Sequence, residues 1–387
     1  MRRVGASNRA VPFRTSEGER VTIGLAEAKR QLSEFAGSAA GESPLYEHLA
    51  SKAAEDDEVA GLLAAAPGGA SPALLFAVAH RLIQADPIHP LSRYYPSLGG
   101  FDGVDGQTWP VFREFLLAHA DDAAGMLASK SLANNEVRRA ASAFPGVAMA
   151  AKQAGGKIAL IEVGTAGGLL LGMDRFAYRY QCDGGEQLVA GPAKAAVGLH
   201  CALDLAPGAV LPKLPKKLTV ASRVGLDPAP LDLSDEDELA WLEACVWADQ
   251  PDRVRLLRAA ALAQRKSPPE IIAAGAVGGF DEAVSRVPAD LPLVVLTSRT
   301  MGHIPDADRA EFLSRMAALG QTRPLWWVMD ETYEHGLSAV LPGRDELAFA
   351  RDGLTTLGLA RRTADGWDAV ALARTTRYGA RMTWLAA

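Results

Sequence analysis

From Ile23 to Gln153 apolar residues recur at helical spacing, and the strict alternation of a half-buried strand is absent. The pattern predicts an all-α segment. Ser43–Pro44 in "GESPLYEHLA" and Ser71–Pro72 in "GASPALLFAVAHRL" each set an N-cap hydroxyl before a proline at the first helical position, where a missing N–H costs nothing. Between them and the next helix, "VFREFLLAHADDAAGML", lies "ADPIHPLSRYYPSLGGFDGVDGQTWP", whose Pro, Gly and Tyr content predicts an ordered loop. A last helix in "ANNEVRRAASAFPGVAMAAKQ" is expected to open at Asn134 or Asn135 and to bend at Pro145.

After Gly155–Gly156 the pattern changes to short apolar runs alternating with helical stretches: "KIALIEVG", "LTVASRVGLD", "PEIIAAGA", "LPLVVLTS" and "RPLWWVMDE". Such alternation marks an α/β domain with a mainly parallel sheet. "FAYRYQCDGGEQLV" interrupts it as a candidate hairpin about Gly184–Gly185, and "LGLARRTADGWDAVALARTT" predicts antiparallel strands joined through Asp365–Gly366. The expected organisation is a tail over 1–20, a helical domain over 21–154 and an α/β domain over 155–387, with no internal repeat.

Composition narrows the function classes. The 387 residues are 49% hydrophobic and 22% charged with a net charge of −6, enough chain for a substantial core and no broad cationic surface for nucleic acid. Cys182, Cys201 and Cys245 are too scattered for a disulfide framework or a zinc cluster. The basic N-terminal stretch lacks a signal peptide's apolar core, and no run reaches the roughly 18 apolar residues that span a bilayer, so a cytoplasmic protein without membrane or nucleic-acid partners is expected. The oligomeric state stays open.

The chemistry concentrates in "IEVGTAGG", where Glu162 ends a strand and Gly164, Ala166 and Gly168 follow at alternate positions. Small residues permit a sharp turn and the approach of a ligand to backbone N–H groups; they equally permit close packing with no ligand at all. A dinucleotide fingerprint starting at Gly164 needs glycines where Ala166 and Leu169 stand, which disfavours NAD. The acidic start and the spacing resemble the first motif of class I S-adenosylmethionine-dependent methyltransferases. That resemblance implies a Rossmann-like methyltransferase-type sheet, a cofactor turn running from Glu162 to Gly168, and Asp227 on the ribose hydroxyls. It departs at the third strand, where Ala276 replaces an acid, and after the fourth, where "VVLTSRTMGHI" lacks an [DN]-PP-[YF] tetrapeptide.

The segments "SPLYEHLA", "RYYPSL", "NNEVRRAA", "LIEVGTAGGLLLGMDRFAYRY", "SRVGLDPAPLDL" and "WADQPDRVRLLRAA" together resemble a bacterial family, the domain of unknown function 2332. That family implies no reaction. Its turn usually reads A-S-A-G-L-N-L, so Leu170 stands for an asparagine, and its terminal histidine-and-glycine pattern becomes "TRYGARMTWL".

Position along the chain supplies other candidates. Ser298, His303, Asp330 and Glu331 fall after predicted strands, where open α/β sheets bind ligands; His303 is there a candidate base or caps the next helix, and the alternative for Asp330 and Glu331 is to be solvated or to cap a turn. Tyr95, Asn135 and Glu136 are expected on the substrate side, with His89, Arg93 and Tyr94 beside them; the alternative is capping and packing. G-x-S-x-G is absent, which disfavours a serine hydrolase, and Asp183, His200 and Cys201 lack metal-site spacing. "PDRVRLLRAA" and "GRDELAFARDGL" read as solvated helical faces. The leading expectation is methylation of a small molecule with S-adenosylmethionine and no metal; the rival is a non-catalytic ligand- or partner-binding protein, favoured by Leu170 and Ala276.

Overall fold

In a computed structural model, residues 22–68, 70–349 and 353–386 are described; the expected tail over 1–20 lies outside them. The chain forms two compact units, one ending at Leu132 and reclaiming Trp247–Asp249, the other comprising Ala133–Val246 and Gln250–Ala387.

The first unit is helical: α1 (Leu25–Ala39), α2 (Pro44–Glu55), α3 (Asp57–Ala65), α4 (Pro72–Ala85), α5 (Thr108–Ala118) and α6 (Ala120–Ser129). Ser43 and Ser71 cap α2 and α4 as their proline-led starts predict, accepting from Tyr46 N and Leu74 N. Asp249 accepts from the Ser43 hydroxyl at 2.7 Å, and Trp247 stacks on Tyr46, which ties the returning segment to this unit. The Pro/Gly-rich loop is ordered into two short 3₁₀ turns, Pro90–Tyr94 and Pro96–Leu98.

The second unit is built on one sheet of eleven strands: β1 (Lys157–Val163), β2 (Ala177–Cys182), β3 (Gln187–Ala190), β4 (Gly198–Leu205), β5 (Thr219–Asp227), β6 (Glu270–Ala273), β7 (Leu293–Ser298), β8 (Leu325–Glu331), β9 (Thr355–Thr363), β10 (Gly366–Thr375) and β11 (Arg381–Trp384). Their order is β3-β2-β4-β11-β10-β9-β8-β7-β1-β5-β6. The five strands read from apolar runs, β1, β5, β6, β7 and β8, are mutually parallel. The first of them is central, the second and third lie to one side, and the fourth and fifth to the other. The β2–β3 hairpin forms around Gly184–Gly185, and β9 and β10 pair through Ala364–Asp365, one residue before the expected turn, with Gly366 already opposite Thr363. Strand β4 shows the alternating burial of an amphipathic strand, a signal weaker than a continuous apolar run.

Helices cover both faces. α7 (Arg139–Gln153), α8 (Glu236–Ala244) and α9 (Pro251–Arg265) bury Phe144, Val147, Leu239 and Leu257 against Ile158, Leu160, Trp326 and Val328. On the other face, α10 (Ala276–Arg286) and α11 (Asp306–Leu319) pack Phe280, Phe312 and Met316 against Ala159, Ile161, Val295 and Trp327. The adjacent tryptophans of β8 thus serve opposite faces, as the period of two requires.

α7 belongs to this sheet unit, whereas the apolar period alone placed it in a helical domain ending at residue 154. Gly146 explains the fit: a Cβ there would stand 2.8 Å from Val328 Cγ1, so only glycine lets the helix lie this close to β8. Pro145 leaves the Ala141 carbonyl without its helical donor, and the Tyr180 hydroxyl supplies one at 2.9 Å. Asn135 does not open α7. The helix starts at Arg139, after the Glu136 carboxylate accepts from Arg138 N and the Glu136 carbonyl from Arg139 N.

Candidate functional site

In this strand order, the loops at the carboxyl ends of β1 and β7 part to opposite sides, and open α/β sheets bind ligands at such a crevice. The turn after β1 is Gly164–Gly168. Glu162 is buried at its base and accepts from Thr165 Oγ1 at 2.6 Å. Burial pushes its carboxyl up to about 8, with Asp227 and Arg139 the nearby charges. Gly164 N and Thr165 N donate to the Leu226 carbonyl, Ala166 N to Asp227 Oδ2 at 2.8 Å, and Gly168 N to Thr165 O. Asp227 Oδ1 accepts from Ala229 N, and Gln264 Nε2 donates to the Gly167 carbonyl.

The turn is also filled. A Cβ on Gly164 would stand 2.0 Å from Thr300 Oγ1, one on Gly167 2.7 Å from Leu233, and one on Gly168 2.9 Å from Pro269. The chain then enters a six-residue 3₁₀ turn, Leu170–Arg175, with Leu170 buried, where a strand-turn-helix motif needs a helix start. Five residues anticipated around a cofactor, Glu162, Gly164, Ala166, Gly168 and Asp227, are therefore brought together, and their contacts are with one another and with the protein. Ala276 does not end the third strand; it is the first residue of α10, because β6 stops at Ala273.

The neighbouring edge is built differently. Ser298, the last residue of β7, pairs with Asp330, one residue before the end of β8. Asp330 is fully buried rather than solvated: Thr355 Oγ1 and Thr375 Oγ1 donate to its Oδ1 at 2.5 and 2.6 Å, and Ser142 Oγ lies 2.8 Å from Oδ2. Glu331, also buried, accepts from Thr300 N and Met301 N, and burial raises its carboxyl to about 7.

Arg139, at the start of α7, is 9% exposed, and its Nε has no hydrogen-bond partner. Among the described residues no carboxylate closes an ion pair with its guanidinium; Asp330, Glu136 and Glu162 are the acidic groups near it. Burial and the neighbouring Arg299 lower its pKa to about 10. Arg299 donates through Nη2 to Thr355 Oγ1 and to the Thr376 carbonyl, both at 3.0 Å, while its buried Nε is also unpartnered. Asn135 Oδ1 and Ser298 Oγ are buried and unpartnered as well. Buried polar atoms are nearly always satisfied, so four exceptions around one sheet edge require an explanation.

Backbone strain falls in the same place. The two described non-glycine residues with positive φ are Ala166 at 50° and Arg299 at 55°, one in each of the loops that part at the crevice. Strain of roughly 1–3 kcal/mol per residue persists where surrounding structure holds it, often at functional sites.

Glu136 forms a buried ion pair with Arg253 at 2.7 Å, and the Arg253 guanidinium lies 3.9 Å from the centroid of the Tyr378 ring. Arg253 comes from "PDRVRLLRAA" and is 8% exposed, so this stretch is not wholly a solvated face: α9 turns Arg253 inward to meet Glu136. Among the described residues of "GRDELAFARDGL" the one helical element is the 3₁₀ turn Asp345–Leu347, and 350–352 lie outside them. Gly379 packs on the Arg138 carbonyl, so Tyr378, from the terminal "TRYGAR", borders the start of α7.

Two candidates stand apart. His303 is exposed in a 3₁₀ turn after β7, and the helix beyond it starts after Pro305 without a side-chain cap. Tyr95 belongs to the helical unit, fully buried against the His80 ring, with its hydroxyl unpartnered and its phenol pushed up by burial. The residues missed were Arg139, Arg253 and Arg299, since arginines in helical or loop text read as solvent-facing.

Among the described residues no group of three or more His, Cys, Asp or Glu is placed to hold a metal ion, and no helix is long and apolar enough to cross a membrane. The second unit is thus a mixed α/β protein unit, mostly parallel, with unsatisfied polar groups gathered at the carboxyl edge of its sheet. The chain belongs to the family described as "Uncharacterized protein conserved in bacteria (DUF2332)", whose model matches residues 29–384. Neither the curated proteins nor the solved structures compared with it give a match.

Proposed function

We propose that the α/β unit binds a small polar molecule at the carboxyl edge of its sheet, between the start of α7 and the ends of β1, β7 and β8. The observation that carries this reading is the set of four buried, unpartnered atoms there: Asn135 Oδ1, Arg139 Nε, Ser298 Oγ and Arg299 Nε. An unmet buried polar group costs about 1–3 kcal/mol, more when charged, and a ligand that meets several at once recovers that cost as binding energy. The test is calorimetric titration of the folded full-length protein against small polar metabolites, repeated on Asn135→Leu and Ser298→Ala. Binding weakened about tenfold or more by either change supports the reading; binding indifferent to both refutes it.

A narrower reading has S-adenosylmethionine as the ligand and methyl transfer as the activity. Support comes from the third-second-first-fourth-fifth order of the parallel strands, which Rossmann-like sheets share, and from Glu162 and Asp227, the strand-end acids that accept from the turn after the first strand. Against it, the amides of Gly164, Thr165, Ala166 and Gly168 are engaged and Leu233, Pro269 and Thr300 stand on the turn's glycines, which favours the non-catalytic rival. Titration with S-adenosylmethionine and S-adenosylhomocysteine decides: no heat with either from folded protein removes methyl transfer and leaves the broader reading intact.

A further inference from the structure

We infer that the ligand is an anion seated on Arg139 and Arg299, carrying beside its charge a hydroxyl or amino group that donates to Asn135. This rests on the binding reading above and specifies its chemistry.

The positive half of the site comes first. Arg139 is buried with its Nε unmet, and Arg299, with its own Nε unmet, is close enough to disfavour the Arg139 charge. Arg139 is buried and Arg299 beside it half-buried, so their charges repel with little water between them, and an uncompensated buried charge is strongly destabilising. Of the buried acidic groups nearby, Asp330 is occupied by hydroxyls of Thr355, Thr375 and Ser142, Glu136 is paired with Arg253, and Glu162, its carboxyl raised by burial, accepts from Thr165. A carboxylate or phosphate is the group that matches the planar fork of Arg139 and supplies the missing charge.

The second half comes from the orientation of Asn135. Its Nδ2 donates to the Thr165 carbonyl at 2.8 Å. Turning the amide over would set its oxygen against that carbonyl oxygen, so the hydrogen bond fixes which atom is which. Oδ1 is therefore the unpartnered atom, an acceptor, and only a donor can satisfy it. Asn135 lies four residues before Arg139 on one chain segment, and beyond Thr165 the turn holds Glu162. The site needs an anion at one end and an O–H or N–H at the other, the pattern of a hydroxy- or amino-carboxylate. A simple carboxylate meets half of it, and a neutral amide cannot meet the arginines.

The experiment compares L-lactate, L-lactamide and propionate at millimolar concentration, reading the unfolding midpoint of the full-length protein. Lactate is expected to raise the midpoint most, propionate less and lactamide least. Arg139→Met removes the buried, unpaired charge, so without ligand its midpoint is expected to rise by a few degrees while its response to lactate disappears; a merely structural arginine gives the opposite first result. Should that variant not fold, Arg139→Lys keeps the charge without the fork and is expected to retain a weakened lactate response. Asn135→Leu is expected to abolish the advantage of lactate over propionate. Lactamide as effective as lactate overturns the anion while leaving the binding reading standing, and propionate equal to lactate overturns the donor. A midpoint unmoved by all three overturns the inference, and binding of another polar molecule in the Asn135 and Ser298 titrations then decides the broader reading separately.

Discussion

The turn after β1 and the ends of β7 and β8 lie next to each other on one sheet edge, and they handle buried polarity in opposite ways. In the turn, the amides of Gly164, Thr165, Ala166 and Gly168 all have acceptors, both Asp227 oxygens have donors, and side chains cover the glycines. Around Arg139 and Arg299, four polar atoms are buried and unmet. The difference separates a motif's appearance from its use: small residues in sequence mark where chains approach closely, whereas unmet charge marks where something else must bind.

The largest expected effect breaks the second region. Asp330→Ala strips three hydroxyls of their shared acceptor and takes away the fully buried acidic group beside Arg139. A loss of about 3–5 kcal/mol in unfolding free energy is expected by denaturant titration, the usual cost of an orphaned buried charge. A loss below about 1 kcal/mol would mean that water reaches these arginines, and the contrast between the regions would collapse.

Next is the turn itself. Gly164→Val adds a branched side chain where φ is +74° and Thr300 occupies the space. Backbone strain and overpacking together predict a loss of about 2–4 kcal/mol. Gly184→Ala is the control: its φ of +87° is similar but nothing stands within 4 Å, so only the strain cost of about 1 kcal/mol is expected. Equal losses would show that the Gly164 turn is not packed shut.

These two experiments also separate what could be read from the amino-acid order from what could not. Strands β1, β7 and β8 were legible because each is a continuous apolar run buried on both faces, and β5 and β6, only partly buried, because each is a short apolar run bounded by turn residues. β4 escaped because it alternates, and its parallel pairing with β11 joins segments far apart in the chain. The glycine turn was legible because glycine spacing is local. Asp330, Glu331 and Ser298 were legible as strand ends, since position alone picks them out. Arg139 was not: in "NNEVRRAA" it looks like any exposed helical cation, and its burial comes from α7 crossing β8 at Gly146, a contact between distant segments. The unmet atoms are invisible in sequence for the same reason, because satisfaction is a property of neighbours brought together by folding.

A smaller effect sharpens the electrostatic side of the comparison. The Glu162 carboxyl is raised from 4.5 to about 8 and that of Glu331 to about 7, chiefly by burial. A raised acid binds its proton more tightly in the folded state, so the stability it contributes is complete below the ordinary carboxyl range and is lost as pH rises through the folded value. Unfolding free energy is therefore expected to fall between about pH 5 and 8, each carboxyl contributing on the order of 1 kcal/mol per pH unit. Glu162→Gln, which stays neutral and still accepts from Thr165, is expected to remove its share of that slope. An unchanged slope would place Glu162 in contact with solvent rather than sealed beneath the turn.

The smallest effect tests the outer limit of the site. His303 lies a few residues past β7, in the same loop as Arg299 and Thr300, yet its side chain is exposed and makes no described hydrogen bond. Exposed residues of this kind change stability by less than about 0.5 kcal/mol when truncated. His303→Ala is accordingly expected to leave the unfolding free energy and the lactate-induced shift of the midpoint as they are in the parent protein. Loss of the shift with stability intact would mean that the whole loop after β7 turns toward the ligand. The boundary would then lie in the loop's motion and no longer between Arg299, held inward by Thr355 and the Thr376 carbonyl, and His303, whose side chain is exposed.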